Sequence, residues 1–277
     1  MRKQNDLIFD VGMHRGEDAD FYLRKGFRVI GFEAEPDLAA HCRARFANEI
    51  SAGRLVVIEG AIVENHHVGE TVRFYKNKDD DVWGTVHRDW AKRNELFGAP
   101  SDAIEVQAVD FAGCLKQYGV PHYLKVDIEG SDAFCLQALL DFDQRPDYIS
   151  IESEKISFAK LKGEFLLLEK LGYTSFRAIQ QQTIPGMRTK IHDSEYQFEN
   201  GASGPFGEDL PGKWKSRNQI LAQYRLIFLL YRLYGDYGRL NPYRLGRESR
   251  KALERISGKP MPGWYDTHAK LASYCRA

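Results

Sequence analysis

The chain has no charge of either sign to spare: Lys and Arg together number 39, and Asp and Glu together 39. That balance gives no reason to expect nucleic acid or an anionic membrane as a partner of the chain as a whole. Cysteine is scarce. Cys42, Cys114, Cys135 and Cys275 are scattered with no CxxC pair, three of them in segments that read as helices. This excludes a zinc ribbon or a disulfide scaffold and predicts a reducing, cytoplasmic setting. No stretch reaches the roughly eighteen apolar residues of a membrane span. Met1 to Asp6 runs into the first strand without an apolar segment, so no secretion signal is expected. Internal repeats and low-complexity tracts are also lacking. What remains is an ordinary globular composition, 43% apolar and 28% charged over 277 residues, enough for one large α/β domain with an appendage.

The chain is organised around Leu7 to Pro36. Leu7 to Val11 is a short apolar run of the kind buried on both faces of a parallel sheet. It meets Gly12 and Gly16, with Met13, His14 and Arg15 between them. A glycine at a strand exit permits a tight turn and lets backbone approach a ligand. Glu17 and Asp18 then open a helix at the positive end of its dipole, and a second strand, Arg28 to Phe32, ends on Glu33. Strand, glycine turn, helix, strand, acid is a nucleotide-binding βαβ unit. Dehydrogenases use G-x-G-x-x-G to seat a pyrophosphate on a helix N-terminus. Here the glycines are spaced G-x-x-x-G, with Asp10 two residues before the first. A carboxylate there repels a diphosphate and suits the sulfonium and amino group of S-adenosylmethionine (AdoMet). Glu33 is then the acceptor for the ribose hydroxyls. The expected cofactor is therefore AdoMet, ahead of NAD, with Asp10, Gly12, His14, Arg15, Gly16 and Glu33 as its binding residues.

Further along, Pro36 opens a second helix with Leu38, Cys42 and Phe46 on its inner face, and Leu55 to Ile58 is a third buried strand. Its exit, Glu59 to Ile62, belongs beside the adenine, which adds Ala61 and Ile62 to the cofactor residues. Thr71 to Tyr75 and Ile104 to Val109 read as strands, and Phe111 to Tyr118 as a helix. The insertion 65–103, with Trp83 and Trp90, is too long for a plain connection and is expected to form a lid. Tyr123 to Gly130 reads as a central strand, yet Lys125, Asp127 and Glu129 alternate along it, and by the period of two they share one side. Buried charges must pair, reach solvent or hold a ligand. The next strand repeats the pattern with Glu152 and Glu154.

Three stretches, DVGMHRG (Asp10 to Gly16), GFEAEP (Gly31 to Pro36) and LKVDIEGSD (Leu124 to Asp132), resemble the FkbM-type AdoMet-dependent methyltransferases, in order and spacing from about Leu7 to about Ala178. The departures are Met13 in place of alanine, Ala34 in place of proline, and Ala108-Val109-Asp110 in place of a threonine-leucine-aspartate pattern. The resemblance implies a class I methyltransferase fold: a Rossmann-like α/β domain with a doubly wound, mostly parallel sheet. It also implies methyl transfer to a hydroxyl, often of a sugar in a glycan or of a secondary metabolite. A sugar hydroxyl needs a base or a Lewis acid to take its proton. Asp127 or Glu129 is the expected base, with Lys125 holding one of them ionised; His14 and His87 are the rival bases. A divalent metal held by Asp127, Glu129 and Glu152 is the alternative arrangement. Two readings compete with this one: a catalytically inactive nucleotide-fold binding module in a glycan-assembly complex, and an NAD-linked oxidoreductase.

Residues 1–200 are expected to form the AdoMet-binding domain and 201–277 a loop-rich and helical extension. That extension opens with a glycine- and proline-rich loop at Gly201 and continues into an apolar helix, Asn218 to Tyr234, with Arg225 and Arg232 on its polar stripe. The helix is expected to pack on its own domain or on a second subunit, with peripheral membrane contact through 218–234 as the alternative. Gly263 to His268 shows no periodicity and is expected to serve packing.

Overall fold

The computed structural model describes residues 2–64, 68–77, 84–86, 88, 101–128, 130–235 and 238–272. The chain divides into two compact units, Met1–Ile151 with Lys190–Tyr196, and Glu152–Thr189 with Gln197–Ala277.

The first unit runs β1 (Lys3–Val11), α1 (Glu17–Arg24), β2 (Arg28–Glu33), α2 (Pro36–Arg45), α3 (Ala47–Ser51) and β3 (Leu55–Glu59). It continues through β4 (Ala61–Ile62), β5 (Thr71–Asn77), β6 (Ser101–Val109), α4 (Phe111–Tyr118), β7 (Val120–Val126), α5 (Asp132–Ala138) and β8 (Tyr148–Glu152). Its main sheet has the order β3-β2-β1-β7-β8, every neighbour parallel. β1 lies in the middle, so Leu7, Ile8, Phe9 and Val11 are buried on both faces, as a continuous apolar run requires. The chain winds outward from β1 to β3 on one side and to β8 on the other. The direction reverses between β1 and β7, and ligands of open α/β sheets bind at the carboxyl ends of strands flanking such a reversal.

Beside this sheet stands a small one, β4-β6-β5, around a cluster of Ala61, Val63, Phe74, Val106 and Ala108. The described part of the 65–103 insertion thus supplies β5, paired antiparallel to β6, with Tyr75 bridging to Thr85. Trp83, His87 and Trp90 lie outside the described residues.

In the second unit come α6 (Phe158–Lys170), β9 (Tyr173–Gln180), α7 (Arg217–Tyr234), α8 (Arg244–Ser257) and β12 (Tyr265–Leu271), while the hairpin strands β10 (Arg188–Ile191) and β11 (Ser194–Gln197) belong mostly to the first unit through Lys190–Tyr196. β9 and β12 pair antiparallel. α7 starts from a capping box between Ser216 and Gln219 and buries Ile220, Leu221, Tyr224 and Ile227, with the Tyr224 ring 5.8 Å from Phe165. The stretch from Gly263 to His268, aperiodic in sequence, enters β12, where Thr267 and His268 are buried. Their polarity conceals the strand. Thr267 is satisfied by hydrogen bonds to Ser153 (2.8 Å) and Tyr224 (2.6 Å), and burial pushes the His268 imidazole down to about 3, so it packs as a neutral ring.

Candidate active site

β1 leaves the sheet at Val11, and five residues carry the chain into α1. Gly12 (φ 79°) and Gly16 (φ 83°) are left-handed, a region that costs an L side chain about 1–2 kcal/mol. The amides of Gly12 and Met13 both donate to Phe32 O, at 3.0 and 2.9 Å, closing the turn against β2. At both glycines the place a Cβ would take is filled by protein. A Cβ on Gly12 would stand 2.0 Å from the carbonyl oxygen of Asp127, and one on Gly16 2.3 Å from the Phe46 ring. Gly12 thus brings the β1 exit against the β7 exit, and Gly16 lets the turn close on Phe46.

His14, also left-handed at φ 51°, ties this turn to the acids around it. Its amide donates to Glu33 Oε2 at 2.8 Å, and its Nδ1 lies 3.0 Å from Glu17 Oε1. Glu17 Oε2 accepts the Arg15 amide at 3.1 Å, while Arg15 O accepts from Arg45 at 3.0 Å. Glu33 Oε1 accepts the Glu35 amide at 2.9 Å. A carboxylate offers about four lone-pair positions, so these two backbone bonds fix the orientation of Glu33 and leave capacity for a diol. Burial nevertheless pushes Glu33 up to about 7, against the pull of the Glu35 and His14 amides. The main chain joins this acid to the residues expected beside the adenine, since Gly60 N donates to Glu33 O at 2.9 Å. Ala61 and Ile62 follow at once, both buried and paired to Ala108 and Val109.

The charges of the β7 strand meet partners from elsewhere in the chain. β7 ends at Val126, one residue before Asp127, and Glu129 lies outside the described residues. Lys125 is buried and meets groups remote in sequence: Gly12 O at 3.1 Å, Asp18 at 3.3 Å, Asp10 at 3.4 Å and Asp127 at 3.9 Å. Burial opposes its charge, but Asp10, Asp18 and Asp127 outweigh burial and hold the ammonium well above its ordinary range. Asp10 is fully buried; burial pushes its carboxyl up to about 7, with Lys125 pulling it down and Asp18 pushing it up. Asp127 differs. Its side chain is 42% exposed, the one carboxylate of this group that reaches solvent.

The structure therefore brings together Asp10, Gly12, His14, Arg15, Gly16, Glu33, Ala61, Ile62, Lys125 and Asp127 within the first unit. Glu152 belongs to the second unit, where it pairs with Lys155 at 2.9 Å, and Glu154 accepts the amides of Ile156 and Ser157. Among the described residues, no group of three or more His, Cys, Asp or Glu is placed to hold a metal ion. Sequence reasoning missed Asp18 as a partner of Lys125, having read it only as a charge on the helix dipole. The signal was there: Asp18 and Tyr22 are four apart, on one face of α1, and both are buried. It also missed Lys76, which reaches from β5 to Glu35 and to Asp37 (2.8 Å). A helix N-terminus already occupied by buried Glu17 and Asp18 is a poor seat for a pyrophosphate.

Comparison with known proteins adds the following. The Methyltransferase FkbM domain matches residues 10–181, more than half of the chain. A stretch of 57 residues is 37% identical to the probable ribosomal RNA small subunit methyltransferase A of Haloarcula marismortui, 21% of this chain and 20% of that protein. Among solved structures, the methyltransferase FkbM from Methylobacillus flagellatus KT is similar at 17% identity and a TM-score of 0.37, over 65% of this chain and 41% of that one. A SAM-dependent methyltransferase from Geobacter sulfurreducens, in complex with S-adenosyl-L-homocysteine, is similar at 12% identity and a TM-score of 0.35, over 97% and 84% of the two chains. The chain thus spans a fifth of the first of these relatives and less than half of the second.

Proposed function

The chain belongs to the FkbM family of AdoMet-dependent methyltransferases, and from that premise we propose that it methylates a hydroxyl oxygen, of a sugar in a glycan or a glycosylated metabolite. When bound, AdoMet supplies a methyl group on a sulfonium leaving group. In this reading Glu33 takes the ribose hydroxyls through the lone pairs its backbone donors leave over. Asp10 faces the cationic end of the cofactor, with Lys125 keeping the buried acids tolerable, and Ala61 and Ile62 line the adenine. The free thiols of Cys42, Cys114 and Cys135 fit a reaction carried out in the reducing interior of the cell.

The observation that carries the acceptor side is the exposure of Asp127 at the end of β7, beside a cluster whose other carboxylates are buried. An acceptor hydroxyl can reach Asp127 from solvent, and Lys125 at 3.9 Å orients it. A positioned general base is worth about 10²–10⁴ in rate. The test is turnover with labelled AdoMet on a panel of glycans, comparing the parent with Asp127→Asn. The variant should keep AdoMet affinity and lose activity by about that factor. Full activity in Asp127→Asn removes Asp127 as the base and shifts the role to His14, whose ring is held by Glu17. Tight AdoMet binding with no turnover on any hydroxyl acceptor would instead favour the inactive binding module.

A further inference from the structure

The neutral balance of the whole chain conceals a local surplus. From Arg239 to Lys259 the sequence carries seven Lys or Arg against two Glu. Most of this segment is α8, and its orientation is fixed by specific contacts. Gly246 lies so close to the preceding turn that a Cβ there would stand 2.0 Å from Leu240 O. Ser249 Oγ meets Tyr234 Oη at 3.2 Å, and Glu254 accepts the Met261 amide at 3.0 Å. Gly246, Ser249 and Leu253 are therefore the inward side.

On the outward side two stripes run the length of the helix. Leu245, Ala252 and Ile256 recur at i, i+7 and i+11, which places them in one line. Leu245 is 82% exposed, Ile256 84%, and Tyr243 at the helix start 65%. One residue earlier in each case stand Arg244, Lys251 and Arg255, forming a basic line beside the apolar one. Among the described residues neither Arg244 nor Arg255 has an ion-pair partner, while Lys251 has Glu248 at 3.5 Å. An exposed apolar ridge flanked by cations, two of the three without an ion-pair partner, is the pattern of a helix lying in a bilayer interface, apolar side chains among the acyl chains and cations at the phosphates. The ridge is a single helix of about 21 Å. It offers far less than the roughly 800 Å² per partner of a stable protein interface. No described helix is long and apolar enough to cross a membrane.

We propose that α8 docks the protein on an anionic phospholipid surface, through Tyr243, Leu245 and Ile256 with Arg244, Lys251 and Arg255. This is a different segment from 218–234, and the proposal does not depend on the acceptor or on the base.

The test is co-flotation of the full chain with vesicles of phosphatidylcholine alone or containing about a third phosphatidylglycerol. The parent should float with the anionic vesicles only, and salt of about 1 M, where the screening length is about 3 Å, should release it. Arg244→Gln with Arg255→Gln should weaken partitioning by about thirtyfold, since each cation near the surface is worth about 1 kcal/mol. Leu245→Glu with Ile256→Glu should abolish it. All four positions point to solvent, so both variants should keep the parent's melting point and AdoMet affinity. The proposal is overturned if the parent ignores anionic vesicles, if it binds both compositions equally, or if both variants float like the parent. It is also overturned if the Leu245/Ile256 change dissolves a self-associated form of the protein while vesicle binding is absent, which would make a second copy the occupant.

Discussion

Replacing Lys125 by methionine removes one cation from among three carboxylates, at 3.3 Å (Asp18), 3.4 Å (Asp10) and 3.9 Å (Asp127). Asp10 and Asp18 are buried, so water cannot take over the role of the ammonium. Stripping one partner from a buried ionic cluster costs about 3–5 kcal/mol. At about 2–4 °C per kcal/mol for a domain of this size, the melting point should fall by roughly 6–20 °C. The loss should depend on pH, with a predictable sign. The Asp10 carboxyl sits near 7, above its ordinary value, mainly through burial, so the folded protein holds a proton there in mild acid. Without Lys125 its downward pull on Asp10 is lost, so at about pH 8 the variant must either bury an unpaired anion or take up a proton that the parent has released. At about pH 5.5 Asp10 is protonated in both proteins, and the loss should be smaller. Adding Asp10→Asn to Lys125→Met should recover part of the stability at pH 8. Melts of the parent and both variants at the two pH values decide the matter. A shift under roughly 2 °C at pH 8, or the same loss at both pH values, would falsify the view that Lys125 is the counter-charge holding this site together.

The other expectations are briefer. Glu33→Gln should weaken AdoMet binding by about 1.5–3 kcal/mol, measured by calorimetric titration; an unchanged affinity removes Glu33 from the ribose site. Because Glu33 is raised to about 7 in the folded chain, its contribution to stability is present in acid and is lost as pH rises from about 4.5 to 7, by about 3 kcal/mol. Denaturant midpoints across that window should fall more steeply in the parent than in Glu33→Gln, and parallel curves would contradict this. Gly12→Ala combines a left-handed backbone with a clash against Asp127 O and should cost about 2–5 kcal/mol. Gly53→Ala has the same backbone handedness with no atom within 4 Å and should cost about 1 kcal/mol. Equal losses at the two glycines would show that the close approach at Gly12 is not what matters.

The βαβ unit that carries the proposed cofactor residues was legible because it is local. Leu7 to Glu33 holds a buried strand, the turn glycines, the helix and the terminal acid in under thirty residues, and each is marked by a residue type that physics restricts. The same local reading found α2 at Pro36 and α4 at Phe111. The charge network was only half legible. Lys125 and Asp127 stood out as charges beside an apolar strand, but their partners Asp10 and Asp18 are more than a hundred residues away, and nothing in a single sequence links them. The end of β7 at Val126 was likewise hidden, since LKVDIEG reads as one alternating run while the fold stops the strand at the point where Asp127 N donates to Val11 O, at 3.0 Å. β12 escaped notice for the opposite reason: buried hydroxyls and a neutral histidine carry no apolar periodicity.

The position of β1 also bears on how the chain is made. Synthesis delivers Leu7 to Val11 well before β7: β2 follows soon as one neighbour, but the other neighbour is β7, whose register sets Lys3 against Val120 and Val11 against Val126. At about 5–20 residues per second, the ribosome leaves that second edge of β1 open for several seconds, a bare parallel edge on one of the most apolar segments in the protein. Until β7 arrives, this edge is a template for any other extended chain. A nascent-chain chaperone that covers the first strand is therefore the factor whose loss should lower the soluble yield most, and chains stalled before Val120 should aggregate where chains stalled after Val126 begin to resist protease.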